Sequence, residues 1–247
     1  MNTVSLLLAY TSRLLPGGVL GAVLLWLLPR SRIELRLAVW VMLFILMRDL
    51  MTPLGLWQFG VEGGFWLRMS SDAGFLLLMG LSSAAMVWVM NASDPALARE
   101  VVWLRGGWGE ALAWGGLGAG VVVLPVWFFS GGGSSAGEPG AVAPALLPVL
   151  AVFCLLGNFY EEVLFRGYFQ GLLEPSLGLW RSAVLSGVLF AFCHAFLALT
   201  VTGAGVPLLL FTLWEGLLAG AARARSGVLA STLLHGGAIF LLASGLI

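Results

Sequence analysis

Apolar runs of about 20 residues follow one another along the chain, separated by short breaks of charge, proline or glycine. Such a run is long enough to cross a bilayer as a helix, in which each backbone polar group finds its partner. The apolar fraction is 60% and the charged fraction 10%, against roughly 45–50% and about 25% in soluble domains. The sequence therefore predicts an all-α protein, a polytopic transmembrane helical bundle of about eight spans. The predicted spans are Ser5–Leu28, Ile33–Met51, Gly74–Met90, Ala111–Phe129, Val149–Leu173, Ser182–Leu199, Pro207–Ala222 and Gly227–Ile247.

The arginines predict an orientation for this bundle, because basic residues concentrate in cytoplasmic loops. With eight spans, the odd-numbered loops hold eight arginines and the even-numbered loops two; the two are Arg48 and Arg68. We therefore expect an integral protein of a bacterial inner membrane, with both termini away from the cytoplasm. The net charge of +0 gives no reason to expect a nucleic-acid partner. The stretch 130–140, rich in glycine and serine, is predicted to be a flexible outer linker.

Six acidic, basic or histidine residues fall inside the last four predicted spans, where a charge costs about 2.5–3.5 kcal/mol and marks a functional candidate. Both histidines of the chain are among them. Counting about 1.5 Å of rise per residue places Glu161, His194 and His235 within about one helical turn of each other in depth. The six residues are Glu161, Glu162, Arg166, His194, Glu215 and His235.

The fifth span carries two adjacent acids and one arginine. Glu162 and Arg166 are four residues apart, with the acid first, which favours an ion pair on one helix face. Glu161 is turned about 100° away and is left to face another neighbour. Asn158, three residues earlier, is placed to hydrogen-bond Glu161. The structural alternative is that Arg166 anchors both acids and merely holds helices together.

A carboxylate and two imidazoles that converge in a cavity of low dielectric constant suit the hydrolysis of a peptide bond. The carboxylate can accept a proton from a water beside the scissile carbonyl. An imidazole N–H can donate to the oxyanion that develops in the transition state. We therefore predict Glu161 as the base, with His194 and His235 as oxyanion donors or water holders.

These residues resemble the motifs of the CPBP intramembrane proteases, which include the type II CAAX prenyl endopeptidases and bacteriocin-processing relatives. The family's E-E-x-x-x-R motif is similar to Glu161, Glu162 and Arg166, and its F-x-x-x-H motif to Phe190 and His194. These two motifs match fully. The third, H-x-x-x-N, is met by His235, but Ile239 stands at the position of the asparagine.

The resemblance implies a glutamic-type intramembrane endopeptidase that needs no cofactor, with residues 141–247 as the catalytic helical core and residues 1–140 as N-terminal helices and linker. It implies that Glu161 activates water, that His194 and His235 bind the oxyanion, and that Glu162 and Arg166 support them. Either Asn158 or Glu215 could replace the missing asparagine, or the chain acts on a substrate other than a prenylated CAAX C terminus. The implied partner is a membrane-anchored or lipidated protein, cut near its C terminus by CAAX processing or by anchor removal.

Two other functions stay open at this point. Glu161, His194 and His235 could bind zinc with an open position for water, although the sequence has no H-E-x-x-H motif. Alternatively, buried acids and histidines could form the proton relay of a transporter, or line a scaffold that binds a peptide helix. Glu215 favours this non-enzymatic class, because it is an acid with no basic residue one helical turn away.

Overall fold

The computed structural model describes residues 2–60, 66–129 and 142–246, and the bundle in these ranges is built almost entirely of helices. The helices are α1 (Thr3–Leu27), α2 (Ile33–Asp49), α3 (Ala73–Ser93), α4 (Pro95–Ala98), α5 (Trp108–Phe129), α6 (Leu147–Glu162), α7 (Gln170–Leu177), α8 (Leu179–Cys193), α9 (Val206–Ser226) and α10 (Val228–Ser244). The prediction of an all-α helical bundle is confirmed.

Six helical stretches in the described ranges are long and apolar enough to cross a membrane. They correspond to six of the eight predicted spans. The other two, α2 and α10, have 17 residues each, and α2 carries four charged residues near its ends. Six of the eight predicted spans therefore have the length and composition of a membrane-crossing helix in the described ranges, and the other two correspond to the shorter helices α2 and α10. The predicted orientation of the termini stays a prediction.

The outer surface of the bundle is apolar, as expected of a protein whose solvent is lipid. Trp26 on α1 is 82% exposed, and Leu117 and Phe128 on α5 are 74% and 76% exposed. A soluble monomer rarely exposes contiguous apolar patches of more than a few hundred Å². This surface and the apolar helices together describe an integral membrane protein.

A β-hairpin between α2 and α3 was not predicted. Its strands β1 (Trp57–Gly60) and β2 (Trp66–Met69) are antiparallel, and Phe59 pairs with Leu67. The hairpin packs against α10. It therefore brings apolar residues from outside the helices to the interior of the bundle.

Two predicted spans are interrupted rather than continuous. After α6 the chain continues as a π-helical segment, Val163–Phe169, before α7 begins. After α8, His194 lies at a turn, and a second π-helical segment, Leu197–Val201, follows. Non-helical or loosened backbone at membrane depth is tolerated where it is buried or lines a cavity, and π segments are frequent at functional sites.

Small residues let α8 and α9 approach closely. A Cβ atom on Gly216 would lie 2.9 Å from the Gly187 carbonyl oxygen, and one on Gly220 would lie 2.7 Å from that of Ala183. Backbone therefore packs directly on backbone, which is how helices associate in a membrane. This contact fixes α9, which carries Glu215, against α8, which leads into His194.

The N-terminal helices pack on the C-terminal ones, α3 on α6 and α5 on α10. The division of the chain at residue 140 into two domains stays a prediction. The linker predicted at 130–140 lies outside the described residues.

Candidate active site

A cavity of about 350 Å³ lies inside the bundle, and most of the predicted site residues line it. Its walls come from α1, α2, α3, α6, α9, α10 and the hairpin, and most of the lining is apolar. Helices distant in sequence thus bring their polar side chains to one space. The predicted site residues at its wall are Asn158, Glu161, His194, Glu215 and His235, and Ile239 lines it too.

Glu161 lies at the C-terminal end of α6, immediately before the π-helical segment. Its Oε2 atom is buried and has no hydrogen-bond partner among the described residues. A buried acceptor without a partner is unusual and calls for an explanation. Glu161 as a residue lines the cavity, so a water molecule or a substrate group in the cavity can approach its carboxylate.

Glu162 and Arg166 form the predicted ion pair, with Arg166 Nη1 donating to Glu162 Oε1 at 2.8 Å. Both side chains are fully buried. Arg166 Nη2 also donates to the Gly216 carbonyl at 3.0 Å, and its guanidinium lies 4.4 Å from the centre of the Phe190 ring. The arginine thereby ties the π-helical segment to α9 and α8. Its only carboxylate partner in the described residues is Glu162, so it does not anchor both acids.

His235 lies between two carboxylates. Its Nδ1 is 2.8 Å from Glu162 Oε1, and its Nε2 is 3.6 Å from Glu215 Oε2. Glu215 is therefore not an isolated acid, contrary to the argument from its sequence neighbours, because α10 supplies the basic partner. The buried network runs from Arg166 through Glu162 and His235 to Glu215.

His194 is oriented by its own helix. Its Nδ1 is 2.8 Å from the Phe190 carbonyl, one turn back in α8. A carbonyl oxygen can only accept, so the hydrogen is on Nδ1, and Nε2 of the neutral ring carries a lone pair. This geometry suits a water holder, which is one of the two roles predicted for His194. The role itself stays a prediction.

Phe190, the first residue of the F-x-x-x-H motif, is the packing centre of the site. Its ring lies 4.4 Å from the His194 ring and 5.4 Å, edge to face, from the His235 ring. The Arg166 guanidinium lies over the Phe190 ring, and the Phe190 carbonyl accepts a hydrogen bond from His194. Phe190 therefore contacts three of the predicted site residues. The motif spacing is therefore explained by the i to i+4 hydrogen bond and by a shared aromatic contact.

Asn158 does not make the hydrogen bond that the sequence suggested. Its amide donates to the Cys154 carbonyl at 2.6 Å, one turn back in α6, and no bond joins it to Glu161 in the described part of the chain. The competing backbone carbonyl is the nearer acceptor for a short amide side chain on a helix. Ile239 leaves an apolar wall one turn after His235.

Two polar residues at the cavity were missed by the sequence analysis. Tyr160, next to Glu161, has a buried hydroxyl with no partner among the described residues. Arg48, in the last turn of α2, also lines the cavity. The sequence does show Arg48 as a charged residue within an apolar run. Because it lies near the end of a predicted span, it was counted with the loop arginines.

The zinc alternative lacks a ligand set. Across residues 2–60, 66–129 and 142–246, no three histidine, cysteine or acidic side chains converge as metal ligands. His235 uses Nδ1 on Glu162 and His194 uses Nδ1 on a backbone carbonyl, so each ring keeps only Nε2 for a further partner.

Comparison with known proteins agrees with the motifs. No match was found among curated proteins or among solved structures. A family model described as type II CAAX prenyl endopeptidase Rce1-like matches residues 143–241, which contain α6 to α9 and most of α10. This family implies a membrane-embedded protease. The resemblance to the CAAX proteases is thus confirmed for residues 143–241, the part of the chain that carries Glu161, His194 and His235.

Proposed function

We propose that the protein is an intramembrane endopeptidase that hydrolyses a peptide bond near the C terminus of a membrane-anchored or lipidated protein, with a water activated by Glu161. The observation that carries the proposal is the unpaired Oε2 of Glu161 in the wall of the same cavity as His194 and His235. The Rce1-like match to residues 143–241 supports the class of reaction.

The reaction begins with the proton that Glu161 accepts from water. The water oxygen attacks the scissile carbonyl, a C–O bond forms, and the carbonyl electron pair moves onto the oxygen as an oxyanion. When the tetrahedral intermediate collapses, the C–N bond breaks and the proton on Glu161 passes to the leaving nitrogen. The products are a new carboxyl terminus and an amine, and Glu161 returns to its ionised form.

His194 orients the attacking water in this proposal. Its Nε2 lone pair accepts one hydrogen of the water while Glu161 accepts the other, which aims the oxygen lone pair at the substrate. The hydrogen bond from Nδ1 to the Phe190 carbonyl fixes the ring in the required tautomer. Orientation of this kind lowers the barrier because the reacting atoms are held in place before the reaction.

His235 is the oxyanion donor in this proposal. With a proton on Nε2, the ring donates toward the cavity, and Glu162 and Glu215 on its two sides balance the charge. The separation of 3.6 Å from Glu215 exceeds an ordinary hydrogen bond, so Nε2 has capacity for a substrate oxygen. Removal of one oxyanion donor typically costs about 10²–10³ in kcat.

The cavity lining favours an apolar substrate segment, since methionine, leucine and aromatic side chains surround the polar cluster. A substrate that is already held in the bilayer by an anchor or a lipid enters such a space without crossing water. This feature supports both CAAX processing and removal of a C-terminal anchor as candidate reactions.

The test replaces the protein by its Glu161→Gln version in the native membrane and identifies proteins that keep their C-terminal peptides. Gln preserves the shape of the side chain but cannot hold the proton, so we expect uncleaved substrate to accumulate while the protein still inserts. The matched control is Glu34→Gln, the same change at an exposed position of α2. Unchanged C termini with Glu161→Gln would refute the proposal.

The remaining alternatives give different results in the same system. Hydrolysis that stops on treatment with a strong chelator and returns with added zinc would favour the zinc mechanism. A proton flux that depends on Glu215, with no peptide product, would favour the transporter. The glutamate mechanism predicts cleavage that resists the chelator and no such flux.

A further inference from the structure

Arg48 is a buried arginine at the cavity that the proposed reaction does not use. Its side chain is 10% exposed and lies in the last turn of α2. Nε and Nη2 both approach Asp49 Oδ1, at 2.8 and 2.7 Å, and Nη2 donates to the Cys193 carbonyl at 2.8 Å. Nη1 is buried and has no hydrogen-bond partner among the described residues.

Arg48 differs from Arg166 in which nitrogen lacks a partner. Arg166 uses both terminal nitrogens, one on Glu162 and one on a carbonyl, and leaves Nε unpaired, whereas Arg48 leaves the terminal Nη1 unpaired. A buried charged donor that is left unpaired is costly, and such groups are rare in folded proteins. Arg48 therefore has the capacity for one more acceptor, and its place in the cavity wall means that a bound molecule can supply it.

The backbone contact of Arg48 connects it to the candidate site. The carbonyl that receives Nη2 belongs to Cys193, the residue before His194. The guanidinium is also held over the Phe44 ring, 4.8 Å from its centre, and the Phe44 ring centre is 6.2 Å from that of His194. Arg48 is thus fixed in position before any ligand binds.

We propose that Arg48 binds the C-terminal carboxylate of the substrate peptide and so sets where the chain is cut. The inference rests on the proposed endopeptidase function and extends it to a specificity residue outside the Rce1-like region. A guanidinium suits this task because its planar fork matches a carboxylate and is always charged. The C-terminal segment of a substrate carries one such carboxylate into a cavity whose lining is mostly apolar.

The distances agree with a cut close to the terminus. The Arg48 guanidinium lies 4.8 Å from the centre of the Phe44 ring, and that centre lies 6.2 Å from the centre of the His194 ring. The guanidinium is therefore no farther from the His194 ring than these two distances combined. Three residues of extended chain span roughly 10–11 Å. A carboxylate on Arg48 therefore places the scissile bond within a few residues of the end of the chain, if that bond lies beside His194.

The experiment compares two synthetic peptides, each with an S-farnesylcysteine followed by three apolar residues. One peptide ends in a free carboxylate and the other in a carboxamide. Binding is measured by equilibrium dialysis to the Glu161→Gln protein, which does not turn the peptides over, and cleavage is measured with the unmodified protein.

We expect the carboxylate peptide to bind more tightly than the carboxamide by roughly 10- to 100-fold, the range for a hydrogen bond to a charged group. Adding Arg48→Gln should remove this difference by weakening the binding of the carboxylate peptide alone. Arg48→Lys should keep part of the difference, because lysine retains the positive charge. In cleavage, Arg48→Gln should raise KM for the carboxylate peptide and leave kcat within a few-fold. Arg13→Gln, an exposed arginine of α1, is the matched control and should change neither value.

Arg48→Gln leaves Asp49 without its partner, so Arg48→Gln with Asp49→Asn is the second variant, in which no buried charge is stranded. Equal binding of the two peptides, absence of binding by both, or an equal loss for both with Arg48→Gln would overturn the role of Arg48. A preference that depends on Arg48, together with no cleavage by the unmodified protein, would instead uphold the carboxylate site and refute the protease.

Discussion

Glu162 offers the sharpest test of the buried network, because its Oε1 atom faces both Arg166 and His235 at 2.8 Å. Glu162→Gln keeps the volume of the side chain but removes the charge. Arg166 is then buried without a counter-ion, and the neutral amide oxygen of Gln is a weaker acceptor for Arg166 and His235 than the carboxylate was. The variant therefore strands a positive charge at a position with no access to water.

The expected cost follows from the burial of both partners. Removal of one partner from a fully buried ion pair typically costs about 3–5 kcal/mol in the free energy of unfolding. At roughly 2–4 °C per kcal/mol for a chain of this size, the midpoint of thermal unfolding should fall by roughly 6–20 °C. The Coulomb attraction is not the main source of this cost, which comes from the uncompensated charge.

The measurement is thermal unfolding of the purified protein in detergent micelles, followed by circular dichroism. The matched pair is Glu162→Gln against the double variant Glu162→Leu with Arg166→Met, which removes both charges and fills the space with apolar groups. We expect the double variant to recover most of the lost stability, since apolar replacements of buried ion pairs are often neutral or stabilising. The exposed control Glu34→Gln should lie within about 0.5 kcal/mol of the unmodified protein.

A fall of less than about 1 kcal/mol for Glu162→Gln would refute the reasoning, because it would mean that water or another group compensates Arg166. A double variant less stable than the single one would also refute it, since the ion pair would then be a net source of stability.

Three further predictions concern packing, orientation and pH. Gly187→Val should lower the unfolding midpoint in micelles by more than an exposed substitution does, since its Cβ would meet backbone of Gly216 at 2.9 Å, and overpacking costs typically 1–3 kcal/mol. His194→Gln should lower kcat about 100-fold in a peptide-cleavage assay with little change in stability; an unchanged kcat would remove the water-holding role. The hydrogen bond from the Thr3 hydroxyl holds the pKa of Asp72 below its ordinary value. The ionised Asp72 carboxylate therefore stabilises the fold above the unfolded pKa of about 3.8, and this stabilisation is lost as pH falls through the lower pKa of the folded protein. Asp72→Asn should therefore flatten the loss of stability below pH 4 in an acid titration followed by circular dichroism.

The helices were predictable because lipid imposes a single requirement on every span. Apolar runs of sufficient length must be helical, so α3 and α9 begin and end within a few residues of their predicted bounds. The same argument does not decide whether a helix close to the minimum length for crossing a bilayer is a span. A helix of 17 residues with charged ends, such as α2, satisfies the pattern of a span without its full length.

The residues of the site were predictable for the same reason that made them costly. Glu161, His194 and His235 stand out because charged or polar groups are rare at membrane depth. Their hydrogen bonds were not predictable. Whether His194 donates at Nδ1 or Nε2 depends on which acceptor lies nearer, and here the Phe190 carbonyl takes the Nδ1 hydrogen.

The two π-helical segments could not be predicted from the sequence, because hydropathy does not distinguish a π-helical from an α-helical stretch. The π-helical segment at Val163–Phe169 is as apolar as the helix before it, so the run appears continuous. The segment at Leu197–Val201 follows His194 without a proline or charge. Arg48 escaped for the opposite reason, since a charge near a span end is usually solvated at the interface.

Ile239 presents the remaining test, because it stands where the CAAX proteases carry an asparagine in the H-x-x-x-N motif. It lines the cavity one helical turn after His235 and packs against the apolar core. In the present chain this position supplies no hydrogen-bond donor. If Ile239→Asn presents an amide to the substrate carbonyl, it adds a second donor beside that of His235.

We expect Ile239→Asn to raise kcat toward the carboxylate peptide by about 10-fold, below the 10²–10³ of an optimised oxyanion donor, because the surrounding wall has not adapted to an amide. Stability should fall by about 1–3 kcal/mol, since the amide is unpaired without substrate. Ile239→Leu is the control, with the same apolar character and neither effect. A lower kcat for Ile239→Asn with the folded state intact would place the oxyanion away from α10, and His235 would then lose its assignment as the donor.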